Sequence, residues 1–224
     1  MTEPGAIVDP AHRPGPAVRG RTRVKVCGLR EPAMVRRTAE LGADAVGFVV
    51  AEGSPRRVGL DALPELVAAT PPGVTPVVVL RDQPGHPALR LPGIVAQLHG
   101  DEDEDACAAA RAATGRTVIR GIAFDAASLE RWDACPDVGL LLVDGPRPGS
   151  GEAFDHAALA GLLPRLATPV ALAGGLGPDT VAGAIARVRP WMVDVSSGVE
   201  RTRGEKDPAL VEAFLAAVAL AGRG

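Results

Sequence analysis

The chain contains no tyrosine, and aromatic residues make up only 3% of its 224 positions. Because 46% of the residues are apolar, the core has to be assembled from alanine, valine, leucine and isoleucine. That mixture suits short parallel strands covered by alanine-rich helices. Cysteine is scarce: Cys27, Cys107 and Cys135 are an odd number at wide spacing, which offers neither a disulfide framework nor a paired metal motif. A surplus of positive charge is missing too. The formal net charge is −3, and without a polybasic block there is no field to recruit nucleic acid. No apolar run approaches the roughly 20 residues that cross a bilayer. Neither a GxGxxG after the first strand nor a GxxxxGK[ST] is present, and HExxH, GxSxG and CxxC are absent as well. Dinucleotide binding, nucleotide hydrolysis, zinc hydrolysis and esterase chemistry therefore lack their usual residues.

What is present is an alternation. Short apolar runs at 24–27, 45–50, 76–80, 94–98, 117–122, 139–143, 169–173 and 192–195 read as strands buried on both faces. Helical patterns at 31–41, 61–69, 104–113, 155–166, 178–188 and 207–220 lie between most of them, several opening with Asp followed by Pro or Ala. Eight strands alternating with helices predict a compact (β/α)8 TIM barrel over residues 23–224. An open doubly wound sheet is the alternative, and its glycine fingerprint is what the chain lacks. Three prolines between Pro84 and Pro92 predict a truncated or irregular third helix, and the connection after Ile122 is short as well. Residues 1–22, rich in Pro, Gly and Arg without an apolar h-region, are expected to form a disordered tail rather than a secretory signal. A reducing cytoplasm is the expected compartment.

In a parallel barrel the chemistry gathers at the C-terminal strand ends. Two such ends, in PVALAGGLGPDT and WMVDVSSGVE, break into small residues: Gly174 and Gly175 in one, Ser196, Ser197 and Gly198 in the other. Backbone N–H groups there can approach an anion closely, so the pair predicts a phosphorylated small-molecule ligand. Cys27 ends the first strand, either as an apolar filler or as a thiolate base or nucleophile. Asp144 ends the sixth, either as a turn cap or as an acid whose pKa an apolar setting raises. Asp194 lies inside the eighth strand and needs a partner, as a buried support or as a substrate ligand. Arg56 and Arg57 follow the second strand, where one of them could clamp a carboxylate rather than face solvent. His99 ends the fourth strand, as a structural residue or a site residue. The acidic run 101–105 beyond it reads as the charge complement of a helix N-terminus. Gly149, Ser150 and Gly151 beside Asp144 suggest a mobile lid, although a plain connector would look similar.

From about residue 23 to residue 221 the chain resembles the phosphoribosylanthranilate isomerases of tryptophan biosynthesis. The matching segments, in order, are KVCGL, GADAVGFVV with SPRRV, QLHGDE, LLLVDG, GSG before FD, ALAGGLGP, and VDVSSGVE with EKDP. The resemblance implies a cofactor-free, metal-free Amadori rearrangement of N-(5-phosphoribosyl)anthranilate to 1-(2-carboxyphenylamino)-1-deoxyribulose 5-phosphate, an aldose-to-ketose isomerisation. It implies Cys27 as general base and Asp144 as general acid. Arg56 would hold the anthranilate carboxylate, with Arg57 as the fallback. Gly174, Gly175, Ser197 and Gly198 would hold the phosphate, and His99 and Asp194 would complete the substrate contacts.

Three features depart from the family pattern. Glu152 stands where a Lys often follows the lid, Leu80-Arg81-Asp82 replaces an aromatic and an Asn, and the proline-rich tail has no counterpart. The related histidine-pathway aminoaldose isomerase, or a dual-substrate enzyme, is the runner-up. It uses an Asp at the end of strand one and two phosphate grips, and Cys27 argues against it. A catalytically silent barrel that only binds is the remaining alternative. A monomer is expected ahead of a homodimer, because few aromatics are available to build an interface.

Overall fold

Eight strands close on themselves in chain order: β1 (Arg23–Cys27), β2 (Ala45–Val49), β3 (Thr75–Leu80), β4 (Val95–Leu98), β5 (Val118–Ala123), β6 (Val138–Asp144), β7 (Val170–Leu172) and β8 (Met192–Val195). Each pairs in parallel with the next, and β8 returns to β1 with Lys25 opposite Asp194. The computed structural model that shows this describes residues 21–145 and 154–222. The glycine segment Gly149-Ser150-Gly151 and all but the last two residues of the expected tail lie outside the described residues. Those two lead directly into β1, and the Arg21 guanidinium donates to both carboxylate oxygens of Asp44 at 2.8 and 2.6 Å.

The closed sheet sorts side chains by parity, since successive residues of a strand face opposite ways. Val24 and Val26, Val46 and Phe48, Val78 and Leu80, Leu141 and Val143, and Val193 and Val195 point outward into the layer shared with the helices. Ala45, Val77, Val95, Ile119, Leu140, Ala171 and Met192 fill the barrel interior. The interior rows are aliphatic, which is how a sequence so poor in aromatics fills a barrel. The same parity assigns several polar or reactive side chains to the interior, among them Lys25 and Cys27 on β1, Gln97 on β4, Asp144 on β6 and Asp194 on β8.

The covering helices are α1 (Pro32–Glu40), α2 (Leu63–Ala68), α3 (Glu104–Thr114), α4 (Ala126–Asp133), α5 (His156–Leu162), α6 (Val181–Val188) and α7 (Pro208–Ala221). Aspartates cap several of them. Asp103 accepts from the Ala106 N–H at 2.9 Å, and Asp207 from the Ala209 N–H at 2.8 Å. The proline-rich third connection carries only a 3₁₀ turn, Pro87–Arg90, as its sequence predicts. Where a short connection was expected after Ile122, Asp125 instead caps the eight-residue α4. A further element that periodicity does not reveal is an antiparallel ribbon beyond β8, formed by β9 (Glu200–Thr202) and β10 (Glu205–Lys206).

Candidate active site

Cys27 is the last residue of β1, and its thiol lies over Gly47 of β2. A Cβ at position 47 would sit 2.8 Å from the sulfur, so glycine on the neighbouring strand makes the room. Lys25, two residues earlier on the same interior face, is fully buried, and its Nζ donates to Asp194 Oδ1 at 2.9 Å. A lone ammonium there would be unfavourable by on the order of several kcal/mol, and the carboxylate partner offsets that. Burial works against the charge, yet Asp194 and the Cys27 sulfur, which also hydrogen-bonds the ammonium, hold Lys25 protonated. Burial pushes the Cys27 thiol above its ordinary range and Asp194 adds to the push, while Lys25 and Lys206 oppose it. The two lysines are thus the groups that favour a thiolate.

Across the barrel mouth Asp144 ends β6, its Oδ1 accepting from the Gly145 N–H at 2.7 Å. His99 Nε2 faces Asp144 Oδ2 at 3.8 Å, beyond hydrogen-bond reach. The imidazole lies over Gly121 of β5, where a Cβ would come within 2.6 Å of the ring, and its Nδ1 is 2.9 Å from Gln97 Nε2. The turn that carries His99 is clamped from outside the barrel. Arg120 donates to the carbonyls of Leu98 at 2.9 Å, Gly100 at 2.8 Å and Glu102 at 3.0 Å. Its guanidinium also stacks on Trp132, 4.6 Å from the ring centroid. Glu102 accepts from the Gly100 N–H at 2.7 Å and the Asp82 N–H at 2.8 Å. In the acidic run 101–105, then, Asp103, Glu104 and Asp105 serve the start of α3 as expected. Glu102 is buried and belongs to the clamp.

Burial, reinforced by the charges of Lys25, Arg120 and Arg81, lowers the His99 pKa to about 4. The ring next to Asp144 is therefore neutral over the working range. The expected result in an NMR titration is a His99 ring resonance that stays in its neutral position from about pH 8 to about pH 5. Linkage gives the sign of its effect on stability: the unfolded chain takes up this proton first. Stability is therefore complete above about pH 6.5 and declines as pH falls toward the folded value. His99→Gln should flatten that part of a plot of urea midpoint against pH.

Arg56 does not stand free in the site. Its Nε and Nη2 donate to the two Glu200 oxygens at 2.7 and 2.9 Å. Arg57 lies exposed, with its Nε on the Val50 carbonyl at 3.3 Å. At the β7 end Gly174 and Gly175 take φ of 82° and 64°, positive values that glycine adopts at little cost. The β8 end packs onto this turn so closely that a Cβ on Gly198 would lie 1.9 Å from the Leu176 carbonyl oxygen. Between the two ends is a cavity of about 550 Å³, whose walls include Gly175, Thr180, Ser197 and Gly198 but neither Cys27 nor Asp144. Ser196 joins the two regions, its Oγ donating to the Cys27 carbonyl at 3.1 Å. Among the described residues, no group of three or more His, Cys, Asp or Glu is placed to hold a metal ion.

The structure thus gathers Cys27, Asp144, His99, Asp194 and Arg56 at one end of the barrel, with the glycine and serine turns at its rim. Sequence reasoning missed Lys25, Gln97, Glu200 and Lys206. For Lys25 and Gln97 the signal was available, since each shares parity with a strand-end candidate. Glu200 and Lys206 depend on a ribbon too short to leave a pattern.

The sequence and its fold are similar to those of known proteins. Residues 24–217 match a family model described as N-(5'phosphoribosyl)anthranilate (PRA) isomerase. The N-(5'-phosphoribosyl)anthranilate isomerase of Chromohalobacter salexigens is 42% identical over 205 residues, covering 88% of this chain and 94% of that protein. The crystal structure of the phosphoribosyl anthranilate isomerase of Thermus thermophilus superposes with a TM-score of 0.79 at 36% identity, over 89% of this chain and 99% of that one. Another phosphoribosyl anthranilate isomerase, solved with reduced 1-(o-carboxyphenylamino)-1-deoxyribulose 5-phosphate, superposes at 0.76 with 29% identity, over 88% and 98% of the two chains.

Proposed function

The chain belongs to the N-(5'-phosphoribosyl)anthranilate isomerase family, and on that premise we propose that Cys27 and Asp144 are the base and acid of its reaction. The enzyme isomerises N-(5-phosphoribosyl)anthranilate in tryptophan biosynthesis, and its substrate is a phosphorylated small molecule. Asp144 gives its proton to the ribose ring oxygen as the C1–O bond breaks and the anilino nitrogen forms a C=N bond to C1. The Cys27 thiolate then takes the proton from C2, and the C2–H electron pair becomes the C1=C2 bond of an enolamine. Tautomerisation adds a proton at C1 and removes the one on the C2 hydroxyl, giving the ketose.

Gly174, Gly175, Ser197 and Gly198 hold the phosphate at the rim, and Nη1 of Arg56 meets the anthranilate carboxylate. His99, neutral, packs beside the acid without competing for its proton, and Asp194 acts through Lys25. One observation carries this reading. Cys27 and Asp144 have the same inward parity at the ends of β1 and β6, so a single ribose can lie between them. The reading places the enzyme in the cytoplasm, and among the described residues no helix is long and apolar enough to cross a membrane.

The test is a fluorescence assay. Purified protein should accelerate the loss of fluorescence from freshly condensed phosphoribosylanthranilate without added nucleotide. It should leave the histidine-pathway aminoaldose unchanged, because that reaction is associated with an Asp at the position of Cys27. Absence of any acceleration with the anthranilate substrate would refute the proposal.

A further inference from the structure

The ribbon beyond β8 brings charges of both signs beneath the loop that carries Arg56. Glu200 opens β9, and Lys206, its register partner, closes β10. Both Glu200 oxygens are doubly engaged. Oε1 accepts from Arg56 Nε and from Lys206 Nζ, each at 2.7 Å. Oε2 accepts from Arg56 Nη2 at 2.9 Å and from the Gly204 N–H at 3.0 Å. The carboxylate is only 4% exposed. Burial opposes its ionisation, yet these donors bring its pKa down to about 2, so it stays charged at any working pH. Lys206 also donates to the Ser196 carbonyl at 2.9 Å, and Ser196 in turn holds the Cys27 carbonyl. From the other side the arginine is guided by Gly28, where a Cβ would lie 2.6 Å from Arg56 Cδ.

Two consequences follow from this geometry. The Nε–Nη2 edge of the guanidinium is consumed by Glu200, and among the described residues Nη1 has no hydrogen-bond partner. The fork can meet a ligand only through that nitrogen, in a direction the carboxylate fixes. Lys206 also faces the Cys27 sulfur, so the cation left to an anionic ligand is the guanidinium, through its remaining Nη1.

We propose that Glu200, braced by Lys206, is the positioning residue that makes Arg56 selective for a substrate bearing an aryl carboxylate. It turns Nη1 toward the ligand and, through Lys206 and Ser196, ties the carboxylate grip to the strand ends that carry the base and the phosphate turn. The proposal rests on the assignment of Arg56 made above.

The experiment compares two substrates, the anthranilate adduct of ribose 5-phosphate and the aniline adduct, which differs from it only in lacking the carboxylate. Glutamine at position 200 puts an amide N–H₂ where a cation now donates, so the fork cannot form as it does. In Glu200→Gln the preference for the anthranilate adduct, as a ratio of kcat/KM values, should fall about tenfold or more, chiefly through a raised KM for that adduct. Glu200→Asp keeps the charge but withdraws it by one methylene, and should lower the preference about threefold. It supplies the reading if the glutamine variant does not fold, as judged by circular dichroism melts. An unchanged preference in a folded Glu200 variant overturns the proposal. Arg56→Gln separates the two levels of the argument. If it collapses the preference while the Glu200 variants do not, only the role of Glu200 falls. If Arg56→Gln leaves the preference intact, the Arg56 assignment falls and this proposal falls with it.

Discussion

Asparagine in place of Asp144 should lower kcat about a thousandfold, within the range that a positioned general acid contributes. The substitution is nearly isosteric, and the amide oxygen can still accept from the Gly145 N–H that now meets Oδ1 at 2.7 Å. What disappears is the proton. An amide cannot protonate the ribose ring oxygen, so the ring opens only as fast as solvent permits. His99 cannot take over the role, because its pKa of about 4 leaves it neutral near neutral pH and its nearest nitrogen lies 3.8 Å from Oδ2. KM should change little, since Arg56 and the phosphate turn are untouched, and the thermal midpoint should stay close to that of the parent. Steady-state fluorescence assays and a melt on the same preparation check both halves. A kcat within about tenfold of the parent would be too small a loss for a general acid and would remove Asp144 from that role.

Serine in place of Cys27 should be comparably damaging, again about a thousandfold in kcat, because an alkoxide is far harder to form than a thiolate. The change removes little volume and leaves the Lys25–Asp194 pair, with its 2.9 Å contact, in place. Folding should therefore survive. The environment also sets the pH dependence of the parent enzyme. Burial holds the thiol above its ordinary pKa against the pull of Lys25 and Lys206. The base is thus scarcer at low pH, and kcat/KM should rise with pH along the acid limb. In Cys27→Ser that limb should vanish along with most of the activity, leaving a low and flat profile. A serine variant that retained the parent profile would show that another group removes the proton.

The strands were legible because parallel strands buried on both faces leave short continuous apolar runs. All eight expected runs overlap the observed strands, and β8 matches residue for residue. Helix ends were less legible, for local reasons. The stretch expected to run as one helix to Leu166 becomes a 3₁₀ turn, Leu163–Arg165, around Pro164. The stretch expected to start at Pro178 begins with a turn in which Thr180 Oγ1 accepts from the Gly177 N–H at 2.9 Å. The segment holding α4 was undervalued because its apolar face is short, with only Leu129 and Trp132 buried.

Among site residues, strand-end position singled out Cys27, Asp144 and His99 correctly as inward-facing groups, since parity is a local property. What could not be read were the pairings. Lys25 meets Asp194 across 169 positions of sequence and Arg56 meets Glu200 across 144. In a linear reading Asp194 needs a partner, but nothing says which residue supplies it; only the closing of the barrel brings these partners together. Arg56 shows the difference most clearly. Sequence marked it as a candidate carboxylate clamp, and the fold adds a resident carboxylate that fixes which of its nitrogens remains for a ligand.

The most direct test of the account follows the hydrogen on ribose C2. Substrate carrying deuterium at that carbon, converted in ordinary water by the parent enzyme, should release deuterium to solvent as fast as fluorescence is lost. Cys27→Ser should release it about a thousandfold more slowly, in step with its lowered kcat. Deuterium release by Cys27→Ser at the parental rate would contradict the assignment of Cys27 as the base.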